Sequence, residues 1–216
     1  MGALIMANTK TSATAAKAAK AKAASARLDR RAVVKELLKD RGELLVVTGL
    51  GTATYDAAAA GDHDRNFLLW GGMGGGAMIG LGLAIAQPKK PVLVITGDGE
   101  QLMGMGALAT IAGVRPPNLT IVVLDNALYA ETGMQASHTA KGVDLSAVAA
   151  ACGFAWTGHE NKMGGIATIR ERIHGFQGPG LMTVHIKQEE SPRVLPSRDG
   201  VDMKNRFRRS LGLSTI

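Results

Sequence analysis

With one cysteine, Cys152, in 216 residues, the chain has no internal disulfide, and a reducing, cytoplasmic setting fits it. Aromatic residues make up only 4% of the sequence, so the core must close through small aliphatic side chains. No segment joins a charged start to an apolar stretch and a small-residue cleavage site, so a secretory signal is not expected. Zinc-finger, RNP and helix-turn-helix patterns are missing too. The net charge of +7 does not replace them, because it sits in the tails. Residues 1–27 carry five basic groups and no acid, residues 187–216 carry seven basic and four acidic groups, and the body from 28 to 186 is left near −1. A nearly neutral body offers no phosphate-tracking face, and no nucleic-acid partner is expected.

Charge is also absent from residues 67–86, a 20-residue run that raises the question of a membrane span. Seven of those residues are glycine, and the run reads as strand, turn and helix, which fits a buried unit of a soluble protein. No membrane partner is expected. The first 27 residues are low-complexity Ala/Lys/Ser/Thr sequence that buries nothing, and they read as a disordered tail. An organelle transit peptide is the weaker alternative, since arginine is sparse there.

What remains is organised as strands alternating with helices. Apolar runs at residues 43–48, 67–70, 91–96, 119–124, 154–157 and 181–186 predict strands. Helical spacing predicts helices over 30–39, 52–60, 73–86, 101–112, 145–152 and 164–173, with a long polar loop over 127–143. The expected fold is α/β: a doubly wound, mostly parallel sheet with helices on both faces, spanning residues 28–186 and followed by a basic extension over 187–216. Gly76, Gly80 and Ala84 form a small-residue stripe for close approach to a sheet or another subunit, and Met103 and Met105 suit an apolar interface. The segment around Arg206–Arg209 suits a short helix on a neighbouring subunit.

The chemistry concentrates at two strand ends. Asp98 lies in the turn Gly97-Asp98-Gly99 after one strand, and Asp125-Asn126 closes the next, 28 residues from Asp98 to Asn126. If the strands are parallel neighbours, the acid and the amide converge on one cation, while the flanking glycines let backbone approach a bulky anion. Taken alone, Asp98 also reads as a helix N-cap. Gly72, Met73, Gly74 and Ala77 match the spacing of a dinucleotide fingerprint, a weak signal by itself, and Met73 also reads as plain core. Cys152 reads as a buried small hydrophobe.

Taken together, Leu81-Gly82, Pro88, Leu93, Ile95, Gly97-Asp98-Gly99 and Asp125-Asn126 resemble the cofactor-binding signature of thiamin-diphosphate-dependent enzymes, over residues 43–186. The resemblance implies thiamin diphosphate and Mg²⁺ as cofactors. It implies Mg²⁺ ligation by Asp98, Asn126 and the carbonyl of Leu128, and a cofactor cradle of Gly72, Met73, Gly97, Asp98, Gly99, Glu100, Asn126, Leu128 and Tyr129. The all-oxygen ligand set suits a hard cation, and a helix beginning after Gly99 would turn its free N–H groups to the diphosphate. Two positions depart from the pattern. The family usually has a small residue at 100 and asparagine at 125, and Glu100 must point away, pair with a cation or have a use of its own.

The loop ALYAETGMQASHT after Asn126 is similar to that of small decarboxylase subunits of the sulfopyruvate and phosphonopyruvate decarboxylase type. By this resemblance Glu131 and His138 are candidate catalytic groups, with Tyr129, Thr132 and Gln135 near the reactive carbon and Ser137 and Thr139 as neutral donors to an anion. The activating glutamate lies on a separate pyrimidine-binding domain, for which a body of 159 residues has no room. The expectation is therefore a partner α-type subunit supplying that glutamate, in an α2β2 or larger assembly acting on a small anionic 2-oxo acid. A carboligase or oxidoreductase subunit, or a catalytically silent cofactor-binding subunit, are the alternatives.

Overall fold

The computed structural model describes residues 27–189 and 191–215. The Ala/Lys-rich segment read as a disordered tail lies outside the described residues, apart from Arg27. In chain order the elements are α1 (Arg30–Leu37), β1 (Leu45–Thr48), α2 (Thr52–Ala59), β2 (Asn66–Leu68), α3 (Gly76–Ala86), β3 (Val92–Gly97), α4 (Asp98–Met103) and α5 (Ala107–Val114). They continue with β4 (Leu119–Asp125), β5 (Leu128–Tyr129), β6 (Gln135–Ala136), α6 (Leu145–Cys152), β7 (Trp156–Glu160), α7 (Met163–His174), β8 (Gly180–His185) and α8 (Gly200–Ser210).

Six strands form one parallel sheet, as the sequence led us to expect, and their order is β2-β1-β3-β4-β8-β7. Their apolar runs are continuous because both faces are covered. On one face Val46, Leu93, Ile95, Val122 and Leu124 meet α1, α2 and α7 through Val33, Val34, Leu37, Ala53, Ala57, Ile166 and Ile169. On the other, Leu45, Val47, Val92, Val94, Ile121 and Val123 meet α3, α5 and α6 through Ala77, Leu81, Ala84, Leu108, Ile111, Leu145 and Ala149. Strand order reverses between β1 and β3: the chain leaves β1 for β2 on one side, then returns to pair β3 on the other. The crevice beyond the strand ends at such a reversal is where open α/β sheets place ligands.

The small-residue stripe of α3 faces the sheet. Gly76, Gly80 and Ala84 are all buried, and a Cβ on Gly80 would overlap Val94 Cγ2 and come within 3.3 Å of Leu119 Cδ1. Buried Asn118 ties the end of this helix to β4, its Nδ2 donating to the carbonyls of Ala84, Gln87 and Lys90 at 3.2, 3.1 and 2.9 Å. The helix expected over 101–112 is instead two, α4 and α5, interrupted at residues 104–106. The backbones of Gly74 and Gly104 approach so closely there that a Cβ on Gly104 would overlap the Gly74 carbonyl. The same approach holds residues 73–75 in a turn, with Gly74 at φ +91°, so α3 begins at Gly76 rather than at Met73.

The basic C-terminal segment does form a helix, but on its own chain rather than on a neighbouring subunit. Its Met203 joins one core and its Phe207 the other, so α8 laps the outer edge of β2. Phe207 meets Phe67 edge-on with ring centroids 5.7 Å apart, and Arg206 grips Asp62 at 2.5 and 3.0 Å. Among the described residues no helix is long and apolar enough to cross a membrane.

Candidate functional site

The ends of β1, β3 and β4 meet at the reversal. Leu50 and Thr52 from the loop after β1, Met73, residues 97–100 from the β3–α4 turn, and Asn126, Leu128, Tyr129 and Glu131 from beyond β4 line one cleft there. Asp98 begins α4 and is 2% exposed. Its Oδ2 accepts hydrogen bonds from Ser137 Oγ at 2.5 Å and Thr139 Oγ1 at 3.2 Å. Burial, aided by the nearby Asp125 charge and opposed by the Ser137 and Thr139 hydroxyls, pushes the Asp98 carboxyl up to about 6. Ser137 and Thr139, expected as neutral donors to an anion, here donate to the Asp98 carboxyl.

Asn126 follows directly on β4. Its Oδ1 accepts the Leu128 N–H at 2.9 Å, and its carbonyl accepts Gln188 Nε2 at 2.8 Å. The side-chain oxygen keeps a second lone pair for a cation. Asp125 turns the other way: its Oδ1 accepts the Ala127 N–H at 2.8 Å and Thr139 Oγ1 at 2.9 Å. These turns hold the chain as it leaves β4, with Ala127 at φ +64°.

Glu100 is buried at 4% exposure. One oxygen accepts the Leu50 N–H at 2.9 Å; the other lies beside Gly76 with no well-formed partner. Burial pushes this carboxyl upward as well, against the hydrogen bonds that Thr96 and nearby backbone N–H groups offer. Of the three roles expected for Glu100, pairing with a cation is not seen among the described residues.

The loop after β1 is part of the site as well. A Cβ on Gly49 would overlap the Glu100 carboxylate, and one on Gly51, which sits at φ +76°, would overlap that of Glu131. These two glycines make room for the two acids.

Tyr129 covers the turn after β3: a Cβ on Gly99 would lie 2.5 Å from its ring. Its hydroxyl meets His138 Nδ1 at 2.8 Å. His138 is exposed and reaches the site through Tyr129 rather than lining the cleft. Glu131 is exposed at the mouth and also lines an adjoining hollow with Arg30, Tyr55 and Arg193. Gly72, expected in the cradle, sits at φ +68° outside the lining of the cleft, whereas Met73 lines it. Cys152 is half-buried at the end of α6, away from these residues.

The donor set fits a hard cation and a diphosphate. It joins a buried carboxylate that has only hydroxyl partners, an amide oxygen with a free lone pair and a glycine-bordered turn. A cation here would relieve the desolvation of Asp98, which no basic side chain among the described ion pairs relieves.

Comparison with known proteins agrees with this geometry. Residues 49–186 match the family described as thiamine pyrophosphate enzyme, C-terminal TPP binding domain. The chain is 38% identical over 122 residues to the sulfopyruvate decarboxylase subunit beta of Methanocaldococcus jannaschii, covering 56% of this chain and 64% of that one. It is 33% identical over 190 residues to the phosphonopyruvate decarboxylase of Streptomyces viridochromogenes, covering 85% of this chain and 46% of that one. It thus spans less than two thirds of either relative. The fold superposes on benzoylformate decarboxylase from Polynucleobacter necessarius with a TM-score of 0.66 at 21% identity, over 76% of this chain and 34% of that one. The family match takes in more than half of the chain, with Asp98, Asn126 and Leu128 inside it, so this protein belongs to the thiamine pyrophosphate enzymes and carries their C-terminal TPP-binding domain.

Proposed function

We propose that the chain is the diphosphate-binding, β-type subunit of a thiamin-diphosphate-dependent 2-oxo acid decarboxylase whose substrate bears a second anionic group. The observation that carries this reading is the convergence of buried Asp98, Asn126 and Leu128 on one cleft at the sheet reversal, in a chain whose relatives include sulfopyruvate decarboxylase β subunits and a phosphonopyruvate decarboxylase. In this reading Asp98, the Asn126 side chain and the Leu128 carbonyl hold Mg²⁺, and the backbone of residues 97–99 faces the diphosphate. Met73 supports the cofactor from the wall of the cleft. When bound, thiamin diphosphate supplies the electron sink that decarboxylation of a 2-oxo acid requires.

The chain's own contribution is to bind, orient and handle protons. Tyr129 closes over Gly99 and shields the turn from water. Glu131, at the mouth and seated against Gly51, is placed to exchange protons with the reacting molecule, and His138 orients Tyr129. Glu100 braces the loop after β1 through the Leu50 N–H. The β naming of the relatives supports a partner α-type subunit that brings the activating glutamate, in an α2β2 or larger cytoplasmic assembly.

The test is co-expression with a pyrimidine-domain polypeptide from a neighbouring reading frame, followed by assay of CO₂ release from sulfopyruvate and phosphonopyruvate with thiamin diphosphate and Mg²⁺. Turnover by the pair and by neither chain alone is expected. Decarboxylation by this chain alone would refute the two-subunit reading. Aldehyde ligation or electron transfer without net decarboxylation to free aldehyde would replace the lyase reading with a carboligase or oxidoreductase.

A further inference from the structure

Two histidines outside the cleft form a connected path into it. Asp144, which also caps α6, places Oδ2 3.0 Å from His159 Nε2 on β7. His159 Nδ1 lies 3.2 Å from His185 Nε2 on β8, with the two rings parallel within 3°. His185 Nδ1 faces Asp125 Oδ2 at 3.5 Å. The opposite oxygen of Asp125 accepts from Thr139, whose hydroxyl also lies 3.2 Å from Asp98 Oδ2. The path runs from a partly exposed carboxylate, through two imidazoles on neighbouring strands, to the carboxylate assigned to the cation.

The two ends of the path differ. His159 is within hydrogen-bond distance of both Asp144 and His185, whereas His185 Nδ1 approaches Asp125 Oδ2 at the longer 3.5 Å. Thr139 has a single hydroxyl proton and two carboxylates within reach. When the histidine pair satisfies Asp125, that proton is free to turn toward Asp98.

We propose that His185, backed by His159, is a positioning residue for the cation site: its ring holds Asp125, and Asp125 with Thr139 then sets Asp98 and the Asn126 turn in their binding arrangement. This rests on the cation role of Asp98 and Asn126 given above. Asp125 fits the part by its contacts: its Oδ1 takes the Ala127 N–H and the Thr139 hydroxyl, while its Oδ2 faces His185. Outer partners of this kind alter metal affinity by about ten- to a hundredfold when removed.

A double-mutant cycle tests it in the assembled protein, read out as the dissociation constant for Mg²⁺ with thiamin diphosphate by calorimetry. H185F is expected to weaken binding about tenfold. In a D125N background, where the carboxylate that His185 faces is already gone, the same substitution is expected to change it less than about twofold. His159→Phe, at a more exposed site, should show a smaller loss of the same pattern. Equal losses in both backgrounds, or no loss in the wild-type background, would overturn the proposal. A second arm needs no cofactor: in nitrogen-15 spectra of the full chain the His185 ring signals should move on D125N and on H159F, and His185 signals unmoved by D125N would overturn it. A wild-type assembly that binds no cofactor would sink the proposed function instead, leaving the ring signals to judge the histidines.

Discussion

Replacing Asp98 by Asn separates what the site costs the fold from what it gives the function. The carboxyl is buried and pushed from its usual 3.8 to about 6, so the folded chain holds its proton more tightly than the unfolded one. Stability tied to this group is therefore complete below about pH 4 and lost as pH rises through about 6. At roughly 1.4 kcal/mol per pH unit, the gap corresponds to about 3 kcal/mol lost by pH 7. The amide carries no charge to desolvate, and its oxygen still accepts from Ser137 and Thr139. Asp98→Asn should therefore stabilise the chain without cofactor by up to about 3 kcal/mol at pH 7 and by almost nothing near pH 4. Urea unfolding at the two pH values measures both. In the cofactor-loaded assembly the order should invert, because a cation binds the carboxylate and gains little from the amide. A variant no more stable than wild type at pH 7, or a difference equal at both pH values, would refute the reasoning.

Three further substitutions probe other links in the argument. Gly80→Ala drives a methyl into Val94 and should cost about 1–3 kcal/mol by the same unfolding assay; an unchanged midpoint would mean that α3 can retreat from the sheet. Asn118→Ala removes the donor shared by three carbonyls and should cost about 1–3 kcal/mol, with the loss appearing as faster hydrogen exchange at the end of α3 and the start of β4. Glu131→Gln should lower kcat of the assembled enzyme by about a hundredfold or more while leaving cofactor affinity within about twofold; wild-type turnover would make Glu131 a bystander.

Much of this architecture is legible in the sequence because its signals are local. The runs LVVT, VLVIT and LTIVVL are apolar at all but one position each, which only a sheet covered on both faces rewards, and the parallel sheet followed. Asp98 and Asn126 could be paired because each ends such a run. What escaped depends on contacts that spacing does not encode. Gly49 and Gly51 carry no local mark of their part, since the acids they accommodate lie 51 and 80 residues further along. The break between α4 and α5 comes from a glycine 30 residues earlier pressing on Gly104. His159 and His185 sit on neighbouring strands and meet only because of the register that sets His159 opposite Thr183, two residues from His185. The histidines were visible in the sequence; the register was not.

The lapping of α8 over β2 matters to anyone who would shorten this protein. A version cut at the family boundary, near residue 186, would lose Met203 and Phe207 and leave the outermost strand with open backbone donors and acceptors. Such a fragment would solve its problem by strand addition between copies, and its stickiness in a column or a crystal drop would say nothing about how the intact chain assembles.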